Sequence, residues 1–393
     1  MYMTMEISNT TKINNMNTEI PFNKPCVLPD SEKFLIEALH SGKLSGNGEF
    51  TKKCQTFFEE KYHFPKVLLT TSGTDALEMA ALLIGIKEGD EVIVPSYTFV
   101  SSALAFTRQG AKIVFADSEN NTPNIDVSQI ERLITPKTKA IVPVHYAGVS
   151  VDMDKLIEIA KRHEIYVIED AAQAIDSYYK GRPVGSLGDL ACFSFHDTKN
   201  ITAAEGGMLV VNNPDFIRRS EIIWEKGTNR SEFFRGEVNK YGWVDTGSSF
   251  LPSELNAAML YSQLIHLQEI QSRRIEIWNK YYDGLKSLAS EGKFNLPFIP
   301  EYATNNAHMF YLVCNTAEDR NNLISYLKKN NIHAVFHYLS LHKSKYAEIH
   351  NQNNQVLPNS DLYTDRLVRL PLYYSMSDSE VEQVIDTIKN YYK

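Results

Sequence analysis

The chain has 393 residues, of which 43% are apolar and 22% charged, and its net charge is −8. That length is too great for one small core and suits a large domain joined to a smaller one. The acidic balance argues against a general nucleic-acid binder, which would show a basic face, but it permits one cationic pocket for a phosphorylated ligand.

Residues 1–19 are polar, rich in Asn and Thr, lack the apolar run of a signal peptide and read as a disordered tail. An N-terminal segment over 20–65 follows. From residue 66 strands and helices alternate. The pattern predicts strands over 66–70, 91–95, 112–116, 140–144, 165–169, 190–195 and 208–211, with helices over 75–86, 100–108 and 154–163. Short apolar strands separated by helices predict an α/β fold with a mainly parallel sheet covered on both faces. The stretch 255–285 has little Gly and no Pro, and predicts one long helix bridging to a second domain. Gly292, Pro297 and Pro300 mark a boundary, so the large domain is expected over 66–285 and a small α+β domain over 286–393. In the latter, strands are expected over 309–313 and 332–336 and helices over 317–329 and 377–392.

The four cysteines, Cys26, Cys54, Cys192 and Cys314, form no C-x-x-C pair. They point to a reducing cytoplasm, with no metal or redox motif. No run reaches the roughly 18 apolar residues of a membrane span.

Ligands of open α/β sheets lie beyond the carboxyl ends of the strands, and three motifs fall there. Thr71-Ser72-Gly73-Thr74 stands between a strand and a helix. Its small residues and free amides suit a phosphate, and its hydroxyls equally suit a helix cap. Asp170 ends an apolar strand and is followed by Ala171, Ala172 and Gln173. A carboxylate there needs a partner. A protonated pyridine nitrogen would supply one, with room for a ring beside the alanines and Gln173 donating to a ring phenolate; an acidic helix cap explains the same Asp. Ser194-Phe195-His196-Asp197-Thr198-Lys199 follows another strand, and Lys199 lies 29 positions after Asp170. A lysine whose amine can lose its proton suits Schiff-base chemistry. Ser194 could add to the phosphate site. His196 fits a proton shuttle or a loop-holding imidazole.

Together with the passages at 41–48 (SGKLSGNG), 95–101 (PSYTFVS), 142–148 (VPVHYAG), 225–230 (EKGTNR), 334–338 (AVFHY) and 369–372 (RLPL), these motifs make the chain resemble the DegT/DnrJ/EryC1/StrS sugar aminotransferases from about residue 20 to its end. The resemblance implies the aspartate-aminotransferase fold (fold type I) and pyridoxal 5′-phosphate (PLP), interconverting with pyridoxamine phosphate (PMP). It implies that Lys199 forms the Schiff base and acts as general base, and that Asp170 partners the pyridine nitrogen. Gln173 would contact the phenolate, Gly73, Thr74 and Ser194 would cradle the phosphate, and Phe99 would stack on the ring. Taken by itself, Phe99 reads as a core residue. Also implied are L-glutamate as donor, a dTDP-linked 4-keto-6-deoxy sugar as acceptor, and a homodimer with shared sites.

For the sugar nucleotide the candidates are Lys43, Ser45, Gly46 and Asn47, Arg230 and Arg235, and His337 and Tyr338. Leu251 stands where many members carry an Asn that reaches the neighbouring subunit's phosphate, so Ser248 or Ser249 is the expected substitute. The passage 337–342 (HYLSLH) also departs from the family's H-Y-x-P-L-H, and the loop 200–205 is unusual in detail. Rival expectations are amination at C3 and a non-enzymatic regulator on the same scaffold. A sugar dehydratase of this fold is disfavoured by the retained Lys199. A dehydrogenase is disfavoured because 71–74 is not a G-x-G-x-x-G turn.

Overall fold

The structure is a computed structural model that describes residues 19–352 and 355–393. Of the expected tail, all but Glu19 lies outside the described residues.

The N-terminal segment forms helices α1 (Pro29–His40) and α2 (Glu49–Tyr62). In α2, Phe50, Cys54, Phe58 and Tyr62 recur every fourth residue and are buried together on one face. Then come β1 (Val67–Thr70), α3 (Gly73–Leu83), β2 (Glu91–Pro95), α4 (Ser101–Thr107), β3 (Lys112–Ala116), β4 (Thr138–Ile141), α5 (Met153–Arg162) and β5 (Tyr166–Asp170). A small hairpin of β6 (Tyr178–Tyr179) and β7 (Arg182–Pro183) precedes β8 (Leu190–Ser194), β9 (Gly207–Val211), α6 (Ile217–Trp224) and α7 (Arg230–Phe234).

The main sheet has seven strands in the order β1-β9-β8-β5-β4-β2-β3. From β8 to β3 the pairs are parallel, while β9 runs antiparallel to both β1 and β8. Alternate strand residues feed opposite faces, as the two-residue strand period requires. Leu68, Cys192 and Leu209 join the core under α3 and α4. Val67, Leu69, Ala191, Phe193, Met208 and Val210 join the core with Phe50 and Phe58 of α2.

Two expectations need correction. The stretch 255–285 is two helices, α8 (Glu254–Leu264) and α9 (Leu267–Ser290). The chain turns at Ile265 and His266, where the imidazole reaches Asp30 at 2.9 Å and Glu269 at 3.4 Å. The small domain holds β10 (Phe294–Asn295), β11 (Phe310–Cys314), α10 (Ala317–Lys329), α11 (Lys345–Ile349), α12 (Pro358–Arg366), β12 (Leu367–Leu370) and α13 (Asp378–Tyr391). Its antiparallel sheet runs β10-β11-β12. The expected strand at 332–336 is absent. Ile332 and Val335 make only single bridges, to Ile20 and Arg369, before the chain leaves the sheet.

Ile277, Trp278, Tyr281 and Leu285 of α9 are buried with Phe310, Leu312, Val384 and Ile388, so the back half of that helix belongs to the small core. Among the described residues no helix is long and apolar enough to cross a membrane.

Candidate active site

A cavity of about 310 Å³ opens at the carboxyl ends of the central strands. Gly73, Thr74, Phe99, Asp170, Gln173, Ser194, His196, Lys199, His337 and Tyr338 line it, so the three sequence motifs converge.

Each wall follows from local structure. Ser72 caps α3, its Oγ accepting from the Asp75 amide at 3.0 Å, so the cap reading holds for Ser72. The Thr74 hydroxyl is left to Ser101, 2.8 Å away. Gly73 is needed because a Cβ there would lie 2.8 Å from the Ser194 Cβ. The helix start and Ser194 therefore touch, and together they offer amides, hydroxyls and a favourable dipole to an anion.

Asp170 ends β5 and is 5% exposed. Its donors are neutral: the Ser102 hydroxyl at 2.7 Å and the Ala172 amide at 3.1 Å. A buried carboxylate answered only by neutral groups is costly unless a cation joins it. The preceding Glu169 is fully buried, and it accepts from the amides of Gly185, Leu187 and Gly188 and pairs with His145 at 3.0 Å. Burial pushes its carboxyl up, but the His145 contact and these amides outweigh that and leave it below the usual range. This fastens the strand end that carries Asp170.

Gln173 accepts from the Ala147 amide at 2.7 Å, which turns its amide nitrogen to the Tyr338 hydroxyl at 2.9 Å. Tyr338 stacks on His337 with centroids 3.5 Å apart, and His337 Nδ1 lies 2.7 Å from the Tyr146 hydroxyl. Phe99 is 55% exposed at this cavity, so the core alternative fails for it. His196 lies at the cavity and also holds its loop, with Thr198 Oγ1 at 3.1 Å and Asp197 at 2.9 Å.

Burial lowers the Lys199 amine to about 8, with Asp170 opposing and Arg369 adding to the shift. Nearby, His308 and His337 are pushed well below the ordinary imidazole value, first by burial and then by cationic neighbours including Lys199 and Arg369.

Sequence reasoning missed three participants. Ser102 braces Asp170. His308 lines the cavity with its Nδ1 held by Asn200 at 2.8 Å, and Arg369 lines it from the small domain. Ser102 left a sequence signal as one of the small residues following Phe99, and Arg369 as the first residue of the passage 369–372.

Lys43, Ser45, Gly46, Asn47, Arg230 and Arg235 are not in this cavity. They line a second one of about 770 Å³, with Ser249 and Leu251. There Lys43 Nζ donates to the Asn47 carbonyl at 2.6 Å, Arg230 sits 3.7 Å from Glu225, and Arg235 is held by Glu221 and Glu237. Ser248 is exposed and lines neither of these cavities.

The first cavity suits PLP: a phosphate cradle that a Cβ would fill, a buried carboxylate lacking a cation, and a lysine with a lowered amine. The family model for the DegT/DnrJ/EryC1/StrS aminotransferase family matches residues 26–389. GDP-perosamine synthase of Escherichia coli O157:H7 is 33% identical, covering 95% of this chain and 98% of that protein. The spore coat polysaccharide biosynthesis protein SpsC of Bacillus subtilis is 32% identical, covering 97% of this chain and 99% of that protein. Among solved structures, Spr1654 from Streptococcus pneumoniae, described as a sugar aminotransferase, superposes in its PLP form with a TM-score of 0.88 at 27% identity, covering 95% of this chain and 98% of that chain. DesV of S. venezuelae, solved with a ketimine intermediate, superposes with a TM-score of 0.85 at 29% identity, over 95% of this chain and 98% of that chain. The chain belongs to the DegT/DnrJ/EryC1/StrS aminotransferase family and is a PLP-dependent transaminase of nucleotide-linked keto-sugars.

Proposed function

We propose that the protein moves the amino group of L-glutamate to C4 of dTDP-4-keto-6-deoxy-D-glucose. The product is dTDP-4-amino-4,6-dideoxy-D-galactose or its gluco epimer, for surface polysaccharide synthesis. The observation that carries the reading is the meeting of Lys199, Asp170 and the Gly73–Ser194 contact in one cavity. The choice of sugar rests on the likeness of the passages at 41–48, 95–101, 142–148, 225–230, 334–338 and 369–372, taken together, to dTDP-4-amino-4,6-dideoxygalactose transaminase.

In this reading PLP, when bound, withdraws electrons from the carbon bearing the amine and so makes its proton removable. Gly73, Thr74 and Ser194 hold its phosphate, Asp170 its ring nitrogen, Gln173 its phenolate side and Phe99 its face. Lys199 anchors the cofactor through its amine and, once released, carries the proton from the donor carbon. Its lowered pKa gives a substantial neutral fraction near pH 8. His337 and Tyr338 orient the sugar.

The second cavity takes the nucleotide diphosphate through Lys43, Ser45, Asn47, Arg230 and Arg235. In a homodimer it would serve the partner's site, with Ser249, which lines this cavity, or the exposed Ser248 beside it reaching the phosphate. The exposed Phe234, Tyr241, Trp243 and Val244 support such an interface.

The test is NMR of the product made from glutamate and dTDP-4-keto-6-deoxyglucose, with GDP- and UDP-linked keto-sugars run beside it. Transfer at C4 of the dTDP sugar supports the reading. Transfer only to a GDP or UDP sugar, or at C3, overturns it. Lys199→Ala should abolish turnover and shift the visible absorbance of the loaded enzyme to that of free PLP.

A further inference from the structure

His308 stands in the wall of the first cavity with one ring nitrogen committed and the other free. It belongs to the loop that leads into β11 and is 5% exposed. Its backbone is held on both sides: the amide donates to the Asn306 side-chain carbonyl at 3.0 Å, and the carbonyl accepts from the Arg274 guanidinium at 2.9 Å. The ring is held as well, with Nδ1 2.8 Å from Asn200 Oδ1.

These contacts fix where the ring carries its hydrogen. The Asn200 amide nitrogen donates to the main-chain carbonyl of Asn306 and to Gln271 Oε1, both at 2.9 Å. A main-chain carbonyl only accepts, so the orientation of the Asn200 amide is set, and Oδ1 is the atom turned to His308. Oδ1 also only accepts, so Nδ1 of His308 is the donor. Burial first, then the cations Lys199, Arg369 and Arg274, keep this imidazole neutral. Nε2 is therefore left as a bare lone pair. It has no hydrogen-bond partner among the described residues and is open to the cavity. An acceptor in so buried a place is costly to leave unanswered.

The chemistry of the two substrates says what would answer it. A carboxylate or phosphate oxygen would set lone pair against lone pair. The only donor on glutamate is the amine that is itself transferred. A keto-sugar brings hydroxyls. His308 also lies near enough to His337, the imidazole assigned above to the sugar, to be among the groups that depress it. The hydroxyl nearest the reacting carbon is the one on the adjoining carbon. In a 4-keto-6-deoxy sugar that is the C3 hydroxyl, because C5 carries the ring oxygen and the methyl group.

We propose that His308 Nε2 accepts the hydrogen bond of the sugar hydroxyl next to the keto carbon, and so selects hydroxylated over deoxygenated acceptors. This rests on the reading of the protein as a keto-sugar transaminase, but not on the nucleotide or the amino donor.

The test uses the holoenzyme and two variants. His308→Asn keeps a donor for Asn200 and removes the Nε2 acceptor; His308→Gln returns an acceptor to that place. The acceptors are dTDP-4-keto-6-deoxyglucose and its 3-deoxy counterpart, or the matching pair of a GDP- or UDP-linked keto-sugar where that one reacts instead. The wild type should favour the hydroxylated sugar in kcat/KM by about tenfold or more, the scale of one hydrogen bond. His308→Asn should lose about tenfold with that sugar and hold within about twofold with the deoxy sugar and in the glutamate half-reaction. His308→Gln should recover part of the preference. Apart from turnover, nitrogen-15 NMR should show a histidine signal, missing from His308→Asn, with its proton on Nδ1. Its Nε2 resonance should move when the aminosugar nucleotide is added and stay in place with glutamate. Equal losses with both sugars overturn the proposal, as do an unchanged preference in His308→Asn, a loss in the glutamate step, or a proton found on Nε2. A wild-type enzyme that accepts no keto-sugar nucleotide would instead defeat the substrate reading itself, before any variant is compared.

Discussion

At the residue scale, the proposed chemistry depends on a lysine that is neutral at a workable pH. Burial brings the Lys199 amine to about 8. Only the neutral amine attacks a carbonyl, so capture of PLP by the cofactor-free protein should accelerate as pH rises and level off above about 8. Stopped-flow absorbance across pH 6–10 checks this; a midpoint near the ordinary lysine value of about 10.4 would contradict it. Lys199, Asp170, Gln173 and the Gly73-Thr74 pair were legible in the sequence because each follows an apolar strand, and strand ends converge in such folds. Arg369 and His308 were not. They come from the small domain, more than a hundred positions after Lys199; Arg369 opens the passage 369–372 that carries the resemblance, yet no local pattern tells a cavity arginine from a solvated one, and His308 lies in no such passage.

At the element scale, the site depends on how closely strand and helix approach. A Cβ on Gly207 would lie 2.5 Å from the Gly73 amide nitrogen and from the Ser72 carbonyl carbon. Backbone cannot yield as a flexible side chain does, so Gly207→Ala must push the start of α3 off β9. The expected result is a loss of about 1–3 kcal/mol in stability, by urea unfolding, together with weaker PLP retention. Gly242→Ala is the control, because a Cβ there meets nothing within 4 Å. The strands and most helices of the large domain were legible from apolar runs and punctuation. The helices α1 and α2 were passed over, although the four-residue spacing of Phe50, Cys54, Phe58 and Tyr62 was there to read. The break between α8 and α9 had no Pro or Gly to announce it. At that break His266 reaches Asp30, a residue distant in sequence.

At the scale of the whole molecule, the two domains share α9 and a latch at Asn306. Its side chain donates to the carbonyls of Gln173 and Ile175, and its own carbonyl accepts from Asn200, next to Lys199. The second cavity, its cations and the exposed aromatics of 233–244 are what a homodimer would use. Sedimentation should give about twice the 44.7 kDa chain mass, and Phe234→Asp with Trp243→Asp should return it to one chain. The antiparallel placement of β9, which no periodicity in the sequence disclosed, has a further effect. Thr70 pairs with Gly207, about 140 residues later, and Gly73 stands immediately beyond that pair. On a ribosome adding about 5–20 residues per second, β1 waits on the order of ten seconds for its neighbour to be made. Until then α3 has no Gly207 behind it. The capacity to take up the cofactor is therefore acquired only after the midpoint of synthesis, and a nascent chain stopped before β9 would emerge without it.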